Sequence, residues 1–222
     1  MATTTLTRLS GLALIAAFAL ALTGGILHPV VGGDSHAASS LVQPLFPTAH
    51  LLIFLGEICL LFGLPGLYAS IAPRARLLGL FGFVLYFFAN ATLASFVSAY
   101  EAFIVPVLAT DPATSALVAP GGAISSSAPF ALLQEVGGLA YMLGLVMLGI
   151  AVLRSRVMPR WTGALMAVAP VFLLLPVPEA PVVTGLLIEL PRGLAVAGMG
   201  YTLFVRGGEE PTNTPGKPNE RS

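Results

Sequence analysis

Six apolar runs take up most of this chain, at about 9–27, 47–72, 77–99, 129–153, 161–177 and 182–205. A helix that crosses a bilayer needs roughly 20 apolar residues, because the hydrocarbon layer is about 30 Å thick and a helix rises about 1.5 Å per residue. Barrel strands alternate polar and apolar residues, and these runs do not alternate. The expected fold class is therefore all-α, a polytopic transmembrane helix bundle of about six helices. The fifth run is the weakest, being short and carrying Pro170 and Pro176. Composition agrees: charged residues make up 9% of the 222 residues, against about 25% in soluble domains. So few charges leave too little polar surface to cover a soluble fold.

The basic residues fix a threading. Membrane proteins keep Arg and Lys in their cytoplasmic loops. With the N-terminus inside, Arg8, Arg74, Arg76, Arg154, Arg156, Arg160, Arg206, Lys217 and Arg221 all fall inside, and only Arg192 does not. The opposite loops hold Asp34, Glu101, Asp111 and Glu179 with no Lys or Arg. The expected location is the plasma (inner) membrane, multi-pass, with both termini cytoplasmic. Residues 1–206 read as one transmembrane domain. Residues 207–222 read as a disordered cytoplasmic tail, polar and rich in Pro and Gly. A cleavable signal peptide is the rival reading of the first run. Retaining that helix keeps the charge partition intact.

A short figure recurs along the chain. Arg8 and Gly11, Arg76 and Gly79, and Arg160 and Gly163 each open an odd-numbered run. In the even-numbered runs Glu57 precedes Gly66, Glu135 precedes Gly144 and Glu189 precedes Gly198, nine residues apart each time. The chain thus reads as three repeated helical hairpins, 1–72, 73–157 and 158–206. The run "YMLGLVMLGIAVLRSRVMPRWTGALMAVAP", with its Pro159, Arg160, Trp161 and Gly163 step, resembles uncharacterised bacterial six-helix integral membrane proteins of a domain-of-unknown-function family. That resemblance implies a multi-pass helical protein and supplies no catalytic residues.

Ionisable residues inside a membrane helix cost roughly 2.5–3.5 kcal/mol at its centre, so those present deserve a reason. Glu57, Glu135 and Glu189 lie 17 to 19 residues from Arg74, Arg154 and Arg206, which puts them roughly 26–28 Å along each helix, near the outer edge. They read either as solvated carboxylates in the polar interface or as a ring lining an outward-facing cavity or ligand site, and Glu57 and Glu135 are expected to face the bundle interior. Arg192 follows Glu189 by three residues, on the same helical face, and so pairs with it. His50 shares a face with Glu57, seven residues on. Glu57, Glu135, Glu189, Arg192 and His50 are the candidate ligand-binding or proton-coupling residues. Gly66 and Gly144, half a turn out of phase with their glutamates, should mark close helix contacts. Pro65 is expected to kink its helix, and Asn90, Thr92, Ser95 and Ser98 to hydrogen-bond to neighbouring helices.

The exclusions narrow the function. A net charge of zero gives no reason to expect nucleic acid. The only lysine is Lys217, in the tail, so no retinal Schiff base can form within the helices. No metal-ligand spacing, nucleotide loop or haem-binding histidine pair is present, so no metal and no cofactor are expected. Cys59 reads as a small buried hydrophobe. The reading favoured is a protein that binds or transports a small apolar or cationic ligand through an outward acidic cavity, its main partner being the lipid bilayer. The alternatives are a membrane-embedded enzyme acting on a lipid or isoprenoid, with no catalytic residues assigned, and a non-catalytic subunit of an oligomer or membrane complex.

Overall fold

The computed structural model describes residues 2–207, so the tail expected over 207–222 lies, beyond Gly207, outside the described residues. Within them the chain is helical, and no strand forms beyond one isolated bridge between Val31 and Asp34. The elements are α1 (Ala2–Leu27), α2 (Ala38–Leu41), α3 (Phe46–Thr92), a π-helical turn (Leu93–Ser98), α4 (Ala99–Phe103), α5 (Val105–Ala109), α6 (Ser115–Val118), α7 (Ala128–Ser155), α8 (Arg160–Leu173) and α9 (Val183–Arg206). Four stretches are long and apolar enough to cross a membrane: Thr4–Leu27, Phe46–Ala109, Ala128–Ser155 and Val183–Arg206.

The second stretch is not straight. Arg76 takes φ 51° and ψ −152°, outside the helical region. Pro73, three residues earlier, has no N–H to give to the helix ladder and so weakens the turn before the break. The rings of Tyr68 and Phe83 then stack with centroids 4.7 Å apart. Fifteen residues of straight helix would separate them by about 22 Å, so the chain doubles back at Arg76. Pro65 does not break the helix: Arg76 is the one residue of α3 with non-helical dihedrals. The fifth run ends early. α8 has 14 residues, about 21 Å, because Pro176 and Pro178 lie just beyond it and Leu174 already leaves the helix.

The helices close a ring. α1 packs on α3 and α9, α3 on α7, α7 on α8, and α8 on α9. Leu14, Leu64, Leu67, Tyr86, Leu145, Leu148, Met166 and Met199 fill its centre. Outside, large apolar side chains stand in the open, Phe62 at 73% exposure and Leu77 at 69% among them. Lipid solvates such a surface and water does not.

Glycines set the helix spacing. A Cβ on Gly11 would lie 2.5 Å from the Gly200 carbonyl oxygen of α9, and one on Gly163 would lie 2.7 Å from the Leu153 nitrogen of α7. Gly66 touches Ser10 of α1, and Gly144 lies against the Tyr86 backbone of α3. Of the repeated glycines, Gly11, Gly144 and Gly163 thus fall where backbones approach, whereas Gly66 and Gly198 make room for side chains. The long loops are more ordered than their composition suggests: Val105 and Val118 join Leu41 and Phe46 in a second small core.

Candidate functional site at the histidine end of the bundle

A cavity of about 340 Å³ opens at the end of the bundle where α1 finishes and α3 begins. His28, His36, His50, Ser98, Glu101 and Glu189 supply its polar wall, and Ile53, Val97, Val182 and Ile188 much of its apolar wall. All three histidines of the chain meet there. His50 Nδ1 faces the Phe46 carbonyl oxygen at 3.0 Å, so that nitrogen carries a proton and donates it. His50 Nε2 is 3.0 Å from Glu101 Oε2 and 3.1 Å from His28 Nε2. His36 Nε2 reaches the other oxygen, Glu101 Oε1, at 3.2 Å.

Charge and burial tune the two loop histidines in opposite senses. Burial, reinforced by the neighbouring His50 and His36, holds His28 down at about 4, so it is neutral at ordinary pH. The hydrogen bond to Glu101 pushes His36 up, against a smaller opposing effect of desolvation. His36 is 57% exposed and Glu101 14%. The result is a hydrogen-bonded chain, His36–Glu101–His50–His28, that runs from the surface into the cavity. Among the described residues no three His, Cys, Asp or Glu side chains are placed to hold a metal ion. These groups hold one another instead. A second tie fastens the same loop, the Ser35 N–H donating to Glu179 Oε2 at 2.6 Å.

Deeper in, Glu57, Glu189 and Arg192 surround a void of about 10 Å³ between α1, α3 and α9, at the lower limit for one water molecule. All three are buried, at 8%, 7% and 8% exposure. Arg192 Nη2 donates to Glu189 Oε2, and its guanidinium sits over the Tyr141 ring, 5.7 Å from the centroid. One oxygen of Glu57, Oε2, and the Nε of Arg192 are buried without a hydrogen-bond partner. The Ser98 hydroxyl is beside the Glu57 carboxyl. Ser98 also lines the histidine cavity, and Glu189 lines both spaces. The two spaces therefore share walls.

The structure brings His50, Glu57, Glu189 and Arg192 together across these two spaces. It does not bring Glu135 to them: Glu135 is exposed on α7 and lines neither space, contrary to the interior position expected for it. Glu101, His28, His36 and Ser98 complete the site instead. Asn90 is buried, but its Nδ2 donates to the Tyr86 carbonyl oxygen of its own helix at 2.6 Å and not to a neighbour. Comparison of the chain with protein-family models, curated proteins and solved structures gives no match.

Proposed function

We propose that this chain is a multi-pass membrane protein that binds a small apolar or cationic ligand in its histidine cavity and couples that binding, or the ligand's transport, to proton movement at Glu57. One observation carries the reading: the Glu57 carboxyl is buried with one unpartnered oxygen, beside an ion pair whose Glu189 also faces the histidine cavity. A buried carboxyl lacking a partner accepts a proton or a cation more readily than a paired one. The histidine–Glu101 chain supplies the route by which a proton would reach it from outside. The mostly apolar wall suits an apolar ligand body, and the carboxylates suit a cationic head.

Glu57→Gln keeps the shape of the side chain and removes its titration. Proteoliposomes loaded with a pH-sensitive dye and challenged with the lipophilic cation tetraphenylphosphonium provide the test. Wild-type vesicles should change their internal pH on addition of the cation, and Glu57→Gln vesicles should lose at least about nine-tenths of that response while the protein elutes and melts as wild type does. Equal traces from wild-type, variant and protein-free vesicles defeat the reading.

The same proposal gives the chain six crossings in three hairpins, with both termini cytoplasmic. The reversal at Arg76 supports dividing Phe46–Ala109 into two crossings. α8 supplies a short fifth, which the bilayer accommodates by thinning locally. Arg8, Arg74, Arg76, Arg154, Arg156, Arg160 and Arg206 gather at the helix ends away from the histidine cavity, as expected for a cytoplasmic face. The resemblance of the 141–170 run to bacterial six-helix proteins agrees with this plan and assigns no activity. Reporters fused at residue 215 and within 110–125 should label opposite sides of the membrane. An extracellular label at residue 215 reverses the threading.

A further inference from the structure

At the other end of the bundle from the histidines, two turns face each other. One is the reversal of α3 and the other joins α7 to α8. Arg74, Arg76, Arg154 and Arg156 from these turns line one open cavity of about 650 Å³, together with Ser155. Among the described residues no carboxylate lines it. None of the ion pairs found among the described residues involves these arginines. Guanidinium groups stay charged at any ordinary pH, so the cavity wall carries four positive charges with no counter-charge among the described residues.

Their placement is more specific than a general excess of basic residues requires. Only three non-glycine residues among those described have positive φ: Arg76 at 51°, Arg156 at 55° and Val182 at 66°. Two of the three are arginines in this cavity. Side chains with a Cβ rarely take that backbone conformation; Arg156 takes it as the left-handed cap that ends α7, and Arg76 where α3 reverses. Sidedness alone would be served by arginines anywhere on these loops. It does not ask for four of them around one space on two separate turns.

We propose that this cavity is a binding site for a phosphate group, the headgroup of an anionic lipid or a free phosphate, which the arginines of the two turns clasp between them. Guanidinium forks bind phosphate oxygens in pairs and hold them in a fixed orientation. The cavity lies at the ends of α3's first half and of α7, the level at which lipid headgroups meet a bundle, and basic pockets between helices recognise such headgroups. Bound phosphate would neutralise the repulsion among the four charges and tie the α3 reversal to the α7–α8 turn. The inference needs the chain to be embedded in a bilayer but is independent of any ligand in the histidine cavity.

The test uses the full chain in detergent, titrated with dioctanoyl phosphatidylglycerol or dioctanoyl phosphatidylcholine and read by native mass spectrometry. Wild type should retain phosphatidylglycerol in preference to phosphatidylcholine. Each arginine in direct contact with the headgroup contributes about a fivefold gain in affinity, the order of one Lys or Arg at an anionic lipid. The double variant Arg74→Gln/Arg154→Gln, which leaves the two positive-φ residues in place, should therefore bind phosphatidylglycerol about 25-fold more weakly. Arg8→Gln/Arg206→Gln removes the same charge from helix ends outside the cavity and should leave retention near wild type. Melting curves of all variants confirm that each is folded. Inorganic phosphate at millimolar concentration distinguishes the sources: displacement of the lipid assigns the site to the free ion as well, and persistence of the lipid assigns it to the headgroup in its membrane setting. Equal retention of the two lipids by wild type overturns the proposal. Equal losses in the cavity variant and the Arg8/Arg206 control do so too.

Discussion

Arg192→Met should destabilise this protein by about 3–5 kcal/mol, the order of loss seen when one partner of a buried ion pair is removed. Arg192 and Glu189 are both more than nine-tenths buried. Methionine fills much of the arginine's volume, so the loss is chiefly electrostatic. It leaves the Glu189 carboxylate in a low-dielectric interior, beside the already underpartnered Glu57. It also removes the cation from the face of Tyr141. The double change Glu189→Gln/Arg192→Met takes away both charges and should recover most of the stability, because replacing a whole buried pair is often close to neutral. Thermal unfolding of the three variants in one detergent checks both statements. A single variant as stable as wild type would mean that Glu189 is solvated and that the inner void is open to water.

Much of the helical plan was legible because it depends on local sequence. Apolar runs bounded by arginines locate α1, α7 and α9 to within a few residues of 129–153 and its counterparts, apart from the start of α1. The reversal of α3 falls within Pro73–Arg76, where a proline and two arginines interrupt the apolar run. The pairing of Glu189 with Arg192 was legible for the same reason, since three residues on one helix bring the two side chains together. α8 was read too long because hydropathy continues through Leu174 and Leu175, whereas the helix responds to the prolines that follow.

What the sequence hid is what depends on neighbours from elsewhere in the chain. The spacing of nine residues relates Glu135 to Gly144 on one helix, two and a half turns apart and so on opposite faces. It does not say which face meets the bundle. Gly144 meets α3, which turns Glu135 outward. Glu57 escapes that fate although Gly66 also touches a neighbour, because the first half of α3 borders both the α1 contact and the inner void. Glu101 was read as a residue of an opposite loop, and no local pattern ties it to His28 or His36. They belong to two segments, the loop after α1 and α4, that the fold alone unites. The one local signal for Glu101 was its position three residues after Ser98 on what turned out to be continuous helical backbone.

Two alanine substitutions on α7 should separate tight packing from mere helix propensity. A Cβ added at Gly144 would lie 2.6 Å from the Tyr86 nitrogen and 2.8 Å from its Cα. Those are backbone atoms of a helix, and they can yield only if α3 and α7 move apart. Tyr86 is fully buried, its ring lies 5.4 Å from that of Tyr141, and Tyr141 carries the Arg192 guanidinium. A shift at this contact is thus transmitted to the inner site. Gly144→Ala should lower stability by about 1–3 kcal/mol, the usual cost of overpacking, and should also weaken the Glu57-dependent response in vesicles. At Gly138, two turns nearer the start of the helix, an added Cβ would meet nothing within 4 Å. Gly138→Ala should leave stability unchanged or raise it by about 0.5–1 kcal/mol, because alanine loses less backbone entropy in a helix than glycine does. Melting curves of the pair, collected with the vesicle assay, decide the matter. Equal effects at the two positions would mean that α3 and α7 do not touch along Gly144, and the route from that contact to Arg192 would fall with it.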